Sequence, residues 1–113
     1  MTSLFSRAYA IKFEKENLNV QSVTDGEAAI DYLKKNEAPN LVLLDLMIPK
    51  KSGFKVLKEI KENEKWKNIP VIILSNLGQE SDIKKGKEMG AAEYIIKADV
   101  DIEEIIKKSK KYM

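Results

Sequence analysis

Hydrophobic residues along this chain follow two alternating patterns, one typical of buried strands and the other of amphipathic helices. Unbroken apolar runs occur at 41–44 and 71–74, and such runs are typical of strands buried on both faces. Between the runs, apolar residues recur every three or four positions, as they do along one face of a helix. The alternation predicts an α/β domain in which helices cover both faces of a parallel sheet.

The predicted elements alternate from a first helix to a last helix, giving five helices and four strands. Four segments are predicted as strands: Leu18–Val23, Leu41–Asp45, Val71–Ser75 and Tyr94–Lys97. Five segments are predicted as helices: about Ser3–Glu16, Ala28–Asn36, Ser52–Gly53 onward, Ser81 or Asp82 to Met89, and Ile102–Tyr112. Asp101 is predicted to cap the last helix, and Gly90 to end the helix before it.

The composition indicates one globular domain and excludes several kinds of chemistry. The chain has 113 residues, of which 43% are hydrophobic and 34% charged, enough for one domain but too few for two. It contains no cysteine and no histidine, which excludes disulfides, catalysis by thiolate or imidazole, and metal sites built from these side chains. We therefore predict a single domain that spans residues 1–113.

Charge and hydropathy give no support for a nucleic-acid or membrane partner. The net charge is +2, and lysines concentrate only near the C-terminus, at positions 107, 108, 110 and 111. The helix dipole favours cations at the end of a helix, and this interpretation is preferred over a nucleic-acid or lipid patch. No apolar stretch approaches the roughly 20 residues of a membrane span. No signal peptide is recognised, so a cytoplasmic location is expected.

Three polar residues stand at the ends of three successive predicted strands: Asp45, Ser75 and Lys97. Because the carboxyl ends of parallel strands meet at the edge of the sheet where ligands bind, these side chains are expected to gather there. A carboxylate can accept a phosphoryl group, a hydroxyl can hydrogen bond to a phosphate oxygen, and a lysine can neutralise its charge. The alternatives are structural: an aspartate that caps the next turn, or a buried Lys97–Asp45 ion pair.

The chain resembles the receiver domain of bacterial response regulators, such as the chemotaxis response regulator, from about Ser6 to its C-terminus. The matching segments are 41–61, 69–76 and 90–99, which read LVLLDLMIPKKSGFKVLKEIK, IPVIILSN and GAAEYIIKAD. The resemblance implies a flavodoxin-like, doubly wound parallel sheet. It also implies a role in phosphorelay signalling, with a sensor histidine kinase as the partner.

The resemblance assigns roles to individual residues. Asp45 would be the phosphoacceptor, Ser75 the switch hydroxyl and Lys97 the phosphate-binding lysine. Tyr94 would be the aromatic residue that turns inward on activation. The family also binds Mg²⁺, to which Asp45 would offer its carboxylate and Met47 its backbone carbonyl.

The chain departs from the family at its N-terminus. Receivers begin with an apolar strand that ends in two acids, and these acids hold Mg²⁺ beside the phosphoacceptor. Counting back from the first predicted helix places them at about Met1 and Thr2, neither of which is acidic. Mg²⁺ needs several oxygen ligands, so its binding is predicted to be weak or absent and phosphorylation to be impaired. Replacement of the pair by Asp25 and Glu27 is the less favoured alternative.

The family's first strand, which lies between the strands predicted at Leu18–Val23 and Leu41–Asp45, is therefore expected to be absent. Losing about five buried apolar side chains, at roughly 1.5–3 kcal/mol each, would remove as much free energy as stabilises a whole domain. We expect a homo-oligomer in which strand exchange or edge pairing replaces the strand. The alternatives are a sheet that closes up and a chain that begins downstream of the natural strand.

Three functions are compatible with these residues. The first is a phosphorylated signalling receiver, and the second is a degenerate receiver that serves as an interaction or oligomerisation module without phosphorylation. The third is a metal-dependent phosphate hydrolase, which is disfavoured by the single acid at the strand ends and the absence of histidine. The chain is accordingly not expected to be an enzyme. The first function is favoured by the presence of Asp45, Ser75, Lys97 and Tyr94, and the second by the missing acids.

Overall fold

The computed structural model describes residues 2–5, 15, 19–22, 26–36, 39–45, 53–75 and 79–112, and at 2–5, 19–22, 45 and 97 it describes the backbone. This part of the chain forms five strands, four α-helices and one 3-10 helix. The strands are β1 (Thr2–Phe5), β2 (Asn19–Ser22), β3 (Leu41–Asp45), β4 (Val71–Ser75) and β5 (Glu93–Ile96). The helices are α1 (Gly26–Lys35), α2 (Gly53–Glu62), α3 (Glu80–Glu88) and α4 (Ile102–Lys110), and the 3-10 helix is Lys97–Asp99.

The five strands form one parallel sheet in the order β2-β1-β3-β4-β5. The two strands with unbroken apolar runs, β3 and β4, lie side by side, and Leu41–Leu44 and Val71–Ser75 are buried. Burial on both faces is what such runs indicate. The four predicted strands and their parallel arrangement are thus confirmed.

Side chains of β3 and β4 alternate between two hydrophobic clusters, one on each face of the sheet. We call the first the α2 face, and its buried residues are Ala29, Ile30, Leu33, Val42, Leu44, Val56, Leu57, Ile60, Trp66, Ile69, Val71 and Ile73. We call the second the α4 face, and its buried residues are Leu41, Leu43, Ile72, Leu74, Ile95, Ile105 and Ile106. The α2 face thus joins the strands to α1 and α2, and the α4 face joins them to α4.

The prediction of a missing first strand is wrong. Ser3–Phe5, which was predicted as the start of the first helix, forms β1 together with Thr2, and β1 pairs with both β2 and β3. An empty position there would leave two rows of backbone N–H and C=O groups unpaired, and a strand satisfies them. Four residues with two apolar side chains carry too little periodicity to reveal this. The sheet therefore has five strands instead of four, and β2 does not close up against β3.

The position of β1 affects two further predictions, the helix at 3–16 and the strand exchange between copies. Apart from Lys15, which is helical, the remainder of the helix predicted at 3–16 lies outside the described residues. Because β1 fills the position between β2 and β3, the energetic argument for strand exchange between copies loses its premise. Within the described ranges, no helix combines the length and apolarity that crossing a membrane requires.

Two of the predicted helix-end signals are confirmed and one is wrong. Asp101 caps α4, since its Oδ1 accepts a hydrogen bond from the Glu104 backbone N–H at 3.0 Å. Gly90 follows α3 with a φ of +104°, a left-handed conformation that favours glycine. The cap of α3 was predicted at Ser81 or Asp82, but the helix begins earlier, with Gln79 as an N-cap that makes no side-chain hydrogen bond.

Lys61 joins the end of α2 to the segment that leads into β4. Its Nζ donates hydrogen bonds to the backbone carbonyls of Lys67 and Ile69, at 3.1 and 2.9 Å. Its aliphatic stem lies against Gly90, where an added Cβ would come within 3.2 Å of Lys61 Cγ. Partial burial lowers the pKa of Lys61 from its usual value of 10.5. The side chain thus connects the end of α2 to the segment before β4 and to Gly90, which lies much further along the chain.

Candidate functional site

Three parallel strands end at the same edge of the sheet, and each end carries one of the predicted polar residues. Asp45 is the last residue of β3 and Ser75 the last of β4, while Lys97 directly follows β5. Asp45 pairs in register with Leu74, and Ser75 pairs with Ile96. Because adjacent strands lie about 4.8 Å apart and each strand residue adds about 3.3 Å, the three backbones lie within roughly 12 Å of one another. The fold therefore brings the three predicted positions together.

Ser75 is fully buried, and its hydroxyl is hydrogen bonded to the phenol of Tyr94. Tyr94 pairs in register with Ile73, two residues before Ser75, so the ring and the hydroxyl lie on the α2 face. Burial raises the pKa of Tyr94 above its usual value of 10.0; the hydrogen bond to Ser75 opposes this rise, and the charge of Asp82 adds to it. The sequence assigned both residues to the site but did not predict the bond between them.

Helix α3 covers Tyr94 at Gly86, a residue to which the sequence analysis gave no role. Gly86 is the buried residue of α3. Beside it, Lys85 extends its Nζ to 4.3 Å from the centroid of the Phe54 ring, at the start of α2. The available signal was a glycine inside a helical pattern, since this residue weakens a helix and often marks close packing.

The structure describes the remaining predicted site residues only in part. Met47, the predicted backbone ligand of Mg²⁺, lies outside the described residues, as does Asp25. Glu27 is exposed in the first turn of α1. The side chains of Asp45 and Lys97 also lie outside the description, so an ion pair between them stays a prediction.

The oxygen donors that the structure describes near this edge do not make up a Mg²⁺ site. Among the residues that the structure describes, no three acidic side chains lie close enough together to hold a metal ion. β1 ends at Phe5 and is followed by Ser6 and Arg7, and the first acid in the chain is Glu14. Mg²⁺ requires a near-octahedral set of oxygen ligands, and Asp45 supplies a single carboxylate.

Comparisons with known proteins agree on one family. The family model of the response regulator receiver domain matches residues 3–110. The probable methanogenesis regulatory protein FilR2 of Methanothrix harundinacea is 33% identical over 100 residues, which cover 82% of this chain and 64% of that protein. Sporulation initiation phosphotransferase F of Bacillus subtilis is 39% identical over 101 residues, which cover 89% of this chain and 78% of that protein.

Solved structures give the same result. The phosphorylated cyanobacterial phytochrome response regulator RcpA matches with a TM-score of 0.79 and 31% identity, covering 97% of this chain and 88% of that one. The chain spans only 64%, 31% and 39% of the length of three of its curated relatives. The resemblance inferred from the three sequence segments and its flavodoxin-like fold are confirmed. The chain belongs to the response regulator receiver domain family of two-component signalling.

Proposed function

We propose that Asp45 accepts a phosphoryl group from a sensor histidine kinase and that this chain does so slowly. The observation that supports the proposal most strongly is the register of the three strand ends, with Asp45, Ser75 and Lys97 at one edge of the sheet. Family membership supports the same roles, and RcpA, a relative of similar fold, has been crystallised in a phosphorylated form.

The proposed reaction moves one phosphoryl group from a nitrogen or oxygen donor to a carboxylate. An oxygen of Asp45 attacks phosphorus while the bond to the donor breaks, and the donor's imidazole nitrogen (or the acetate oxygen of acetyl phosphate) keeps the electron pair. The product is an acyl phosphate on Asp45. The Lys97 ammonium neutralises charge on the phosphoryl oxygens, and the Ser75 hydroxyl donates a hydrogen bond to one of them.

Two features of the chain support slow transfer. No acid occurs between residues 1 and 13, so the carboxylates that hold a divalent ion in the family are missing, and charge on the transferred group is less well neutralised. The Ser75 hydroxyl is fully buried and bonded to Tyr94, so it has to change partner before it can bind a phosphoryl oxygen. Both features raise the barrier to transfer.

The test is phosphorylation of the 113-residue chain by acetyl phosphate at increasing Mg²⁺, followed by intact-mass and peptide mass spectrometry. We expect slow addition of one phosphoryl group with little dependence on Mg²⁺, and none in Asp45→Asn. Rapid phosphorylation that saturates with Mg²⁺ would refute the prediction of slow transfer at a site that binds Mg²⁺ weakly. Equal labelling of Asp45→Asn would refute the acceptor.

Two added acids provide a matched comparison. Ser6→Asp puts a carboxylate directly after the carboxyl end of β1, whereas Thr2→Asp puts one at the amino end of the same strand. We expect Ser6→Asp to make phosphorylation depend on Mg²⁺ and to raise its rate roughly tenfold, the effect of about 1.4 kcal/mol on the barrier. Thr2→Asp should leave the rate unchanged, and a reversed order of the two variants contradicts this explanation.

A second candidate function is an interaction or oligomerisation module that works without phosphorylation. The buried Ser75–Tyr94 hydrogen bond favours it, because the hydroxyl already has a partner within the fold. Light scattering of the purified chain with and without acetyl phosphate separates the two functions. An oligomer that ignores the phosphodonor supports the module, whereas a monomer that associates only after Asp45 is phosphorylated supports the signalling receiver.

A further inference from the structure

We propose that Lys61 is a modification site, at which transfer of an acetyl group from an activated donor such as acetyl phosphate to Nζ loosens the segment 63–70. This segment leads from α2 into β4 and contains Trp66. It lies at the amino end of β4, whereas Asp45 lies at the carboxyl end of β3, so the two sites are at opposite edges of the parallel sheet. The proposal therefore does not depend on phosphorylation of Asp45.

The geometry around Lys61 can hold a neutral amine as well as an ammonium group. Nζ donates one hydrogen bond to the backbone carbonyl of Lys67 at 3.1 Å and another to that of Ile69 at 2.9 Å. An ammonium group has a third N–H, which neither carbonyl takes up. A neutral amine has only two N–H groups, so both carbonyls can keep their donors while the lone pair of nitrogen stays available.

Among the residues that the structure describes, no carboxylate forms an ion pair with Lys61. Glu62, the next residue in α2, pairs with Lys58 at 3.8 Å. Glu64 pairs with Lys67 at 2.9 Å. Partial burial lowers the pKa of Lys61, because the charged form loses hydration. A larger share of the side chain is therefore the neutral amine, which is the form that acts as a nucleophile.

The proposed step moves an acetyl group from phosphate to nitrogen. The lone pair of the neutral Lys61 Nζ attacks the carbonyl carbon of acetyl phosphate, the bond from that carbon to the phosphate oxygen breaks, and phosphate leaves with the electron pair. The extra proton on nitrogen passes to water, and the products are an amide at Nζ and inorganic phosphate. The reagent can approach Nζ from solvent, because the hydrogen bond to Lys67 lies in an exposed position.

Acetylation removes part of what holds the segment in place. An amide nitrogen carries no charge and a single N–H, so Lys61 can then keep at most one of its two carbonyl bonds. Ile69 in turn donates its backbone N–H to the Trp66 carbonyl at 2.9 Å, so Trp66 is tied to a residue that Lys61 holds. Trp66 is only 7% exposed. We expect the modified chain to let water reach its indole ring.

Competitive labelling tests the reactivity of Lys61. The folded chain is treated with a limiting amount of acetyl phosphate at mildly alkaline pH, and peptide mass spectrometry follows acetylation of Lys61 and Lys58. Lys58 is the matched control, one turn earlier in α2, exposed and ion-paired. We expect Lys61 to be acetylated faster than Lys58 in the folded chain, and the two rates to become similar in urea. A rate at Lys61 equal to or below that of Lys58 in the folded chain would overturn the proposal.

Tryptophan fluorescence tests the structural consequence, because Trp66 is the single tryptophan of the chain. We expect its emission to shift to longer wavelength as Lys61 becomes acetylated in the parent chain. Lys61→Arg, which keeps a cation with several donors, should show no shift after the same treatment. That variant retains Asp45 and the other lysines, so it controls for phosphorylation and for acetylation elsewhere.

Two further variants separate loss of the Lys61 donors from a general loss of charge. Lys61→Gln replaces the amine with a neutral amide and should shift the emission without any reagent, whereas Lys58→Gln should leave it unchanged. Unchanged emission in a parent chain that is fully acetylated at Lys61 would overturn the proposal, and so would an equal shift in acetylated Lys61→Arg. These readouts stay valid if Asp45 is never phosphorylated, since an acetyl and a phosphoryl group add different masses.

Discussion

The two faces of the sheet both bury side chains completely but differ in the residues that surround them. Ile72 and Ile73 are neighbours in β4, both 0% exposed, and they point into opposite clusters. On the α4 face, Ile72 meets other aliphatic residues such as Ile95 and Ile105. On the α2 face, Ile73 lies beside Gly86 and the Tyr94 ring, whose phenol is bonded to Ser75.

This difference shows that burial alone does not reveal which core residues act on a site. On the α4 face, the buried side chains that the structure describes in the cluster are all aliphatic and carry no polar group. The α2 face also holds the hydrogen bond between the Tyr94 phenol and Ser75, a predicted site residue. The two faces are therefore distinguished by measuring two quantities in each variant, the free energy of unfolding and the pKa of Tyr94.

The largest expected effects come from Ile72→Ala and Ile73→Ala. Each removes a fully buried side chain and should lower the free energy of unfolding by about 2–5 kcal/mol, measured by urea denaturation. Only Ile73→Ala should change the pKa of Tyr94, because only that side chain lies against the ring's neighbour Gly86. An equal change of that pKa in Ile72→Ala would remove the distinction between the faces.

Lys61→Ala should have the next largest effect, at the border of the α2 face. It removes two hydrogen bonds to backbone carbonyls and the contact of the lysine stem with Gly90. We expect a loss of about 1–2 kcal/mol in the free energy of unfolding, moderated by water that can reach the carbonyls. Lys58→Ala is the matched control, since Lys58 is exposed and forms an exposed ion pair with Glu62 at 3.8 Å, and it should cost no more than about 0.5 kcal/mol. Similar losses in the two variants would show that the carbonyl contacts of Lys61 add no stability.

On the α4 face, Asp101→Ala should cost about 1 kcal/mol of unfolding free energy. The variant leaves the Glu104 N–H without its side-chain acceptor at the start of α4. Asp99→Ala, at an exposed position in the preceding 3-10 helix, serves as the control and should change stability by less than about 0.5 kcal/mol. The pKa of Tyr94 should be the same in both variants, and a shift in Asp101→Ala would mean that α4 also acts on the α2 face.

The smallest expected effect is the alkaline dependence of stability, to which each face contributes one tyrosine. Burial raises the pKa of Tyr94, and also that of Tyr112, where the hydrogen bond to Glu93 and its charge add to the rise. The native state therefore holds these protons to higher pH than the unfolded chain. Their contribution is complete below about pH 10 and is lost as the pH rises through the raised values.

Urea denaturation between about pH 9 and 11 measures this loss. Tyr94→Phe and Tyr112→Phe should each flatten the decline, and the opposite contribution of Lys61 cancels in the comparison because it is common to all variants. Glu93→Gln should reduce the contribution of Tyr112 and leave that of Tyr94 unchanged. A decline that is identical in all of these proteins would show that neither phenol is shielded as the structure indicates.

Much of the fold could be predicted because it depends on local patterns. The continuous apolar runs of β3 and β4 and the capping residue Asp101 each act within a few residues of where they stand. The failure concerned β1, whose four residues have no decisive pattern of their own. That segment is a strand because β2 and β3 offer it backbone partners on both sides, which is a property of the assembled sheet.

The sequence by itself determined the family, the parallel sheet and the common edge that carries Asp45, Ser75 and Lys97. The reason is that strand ends and the alternation of strands with helices depend on short segments of the chain. Only the tertiary structure decided that Ser75 bonds to Tyr94 and that α3 approaches the ring at Gly86. Those contacts join two strands and a helix. Whether they form depends on the order of the strands and on the distance of α3 from the sheet, and no single segment of the sequence specifies either.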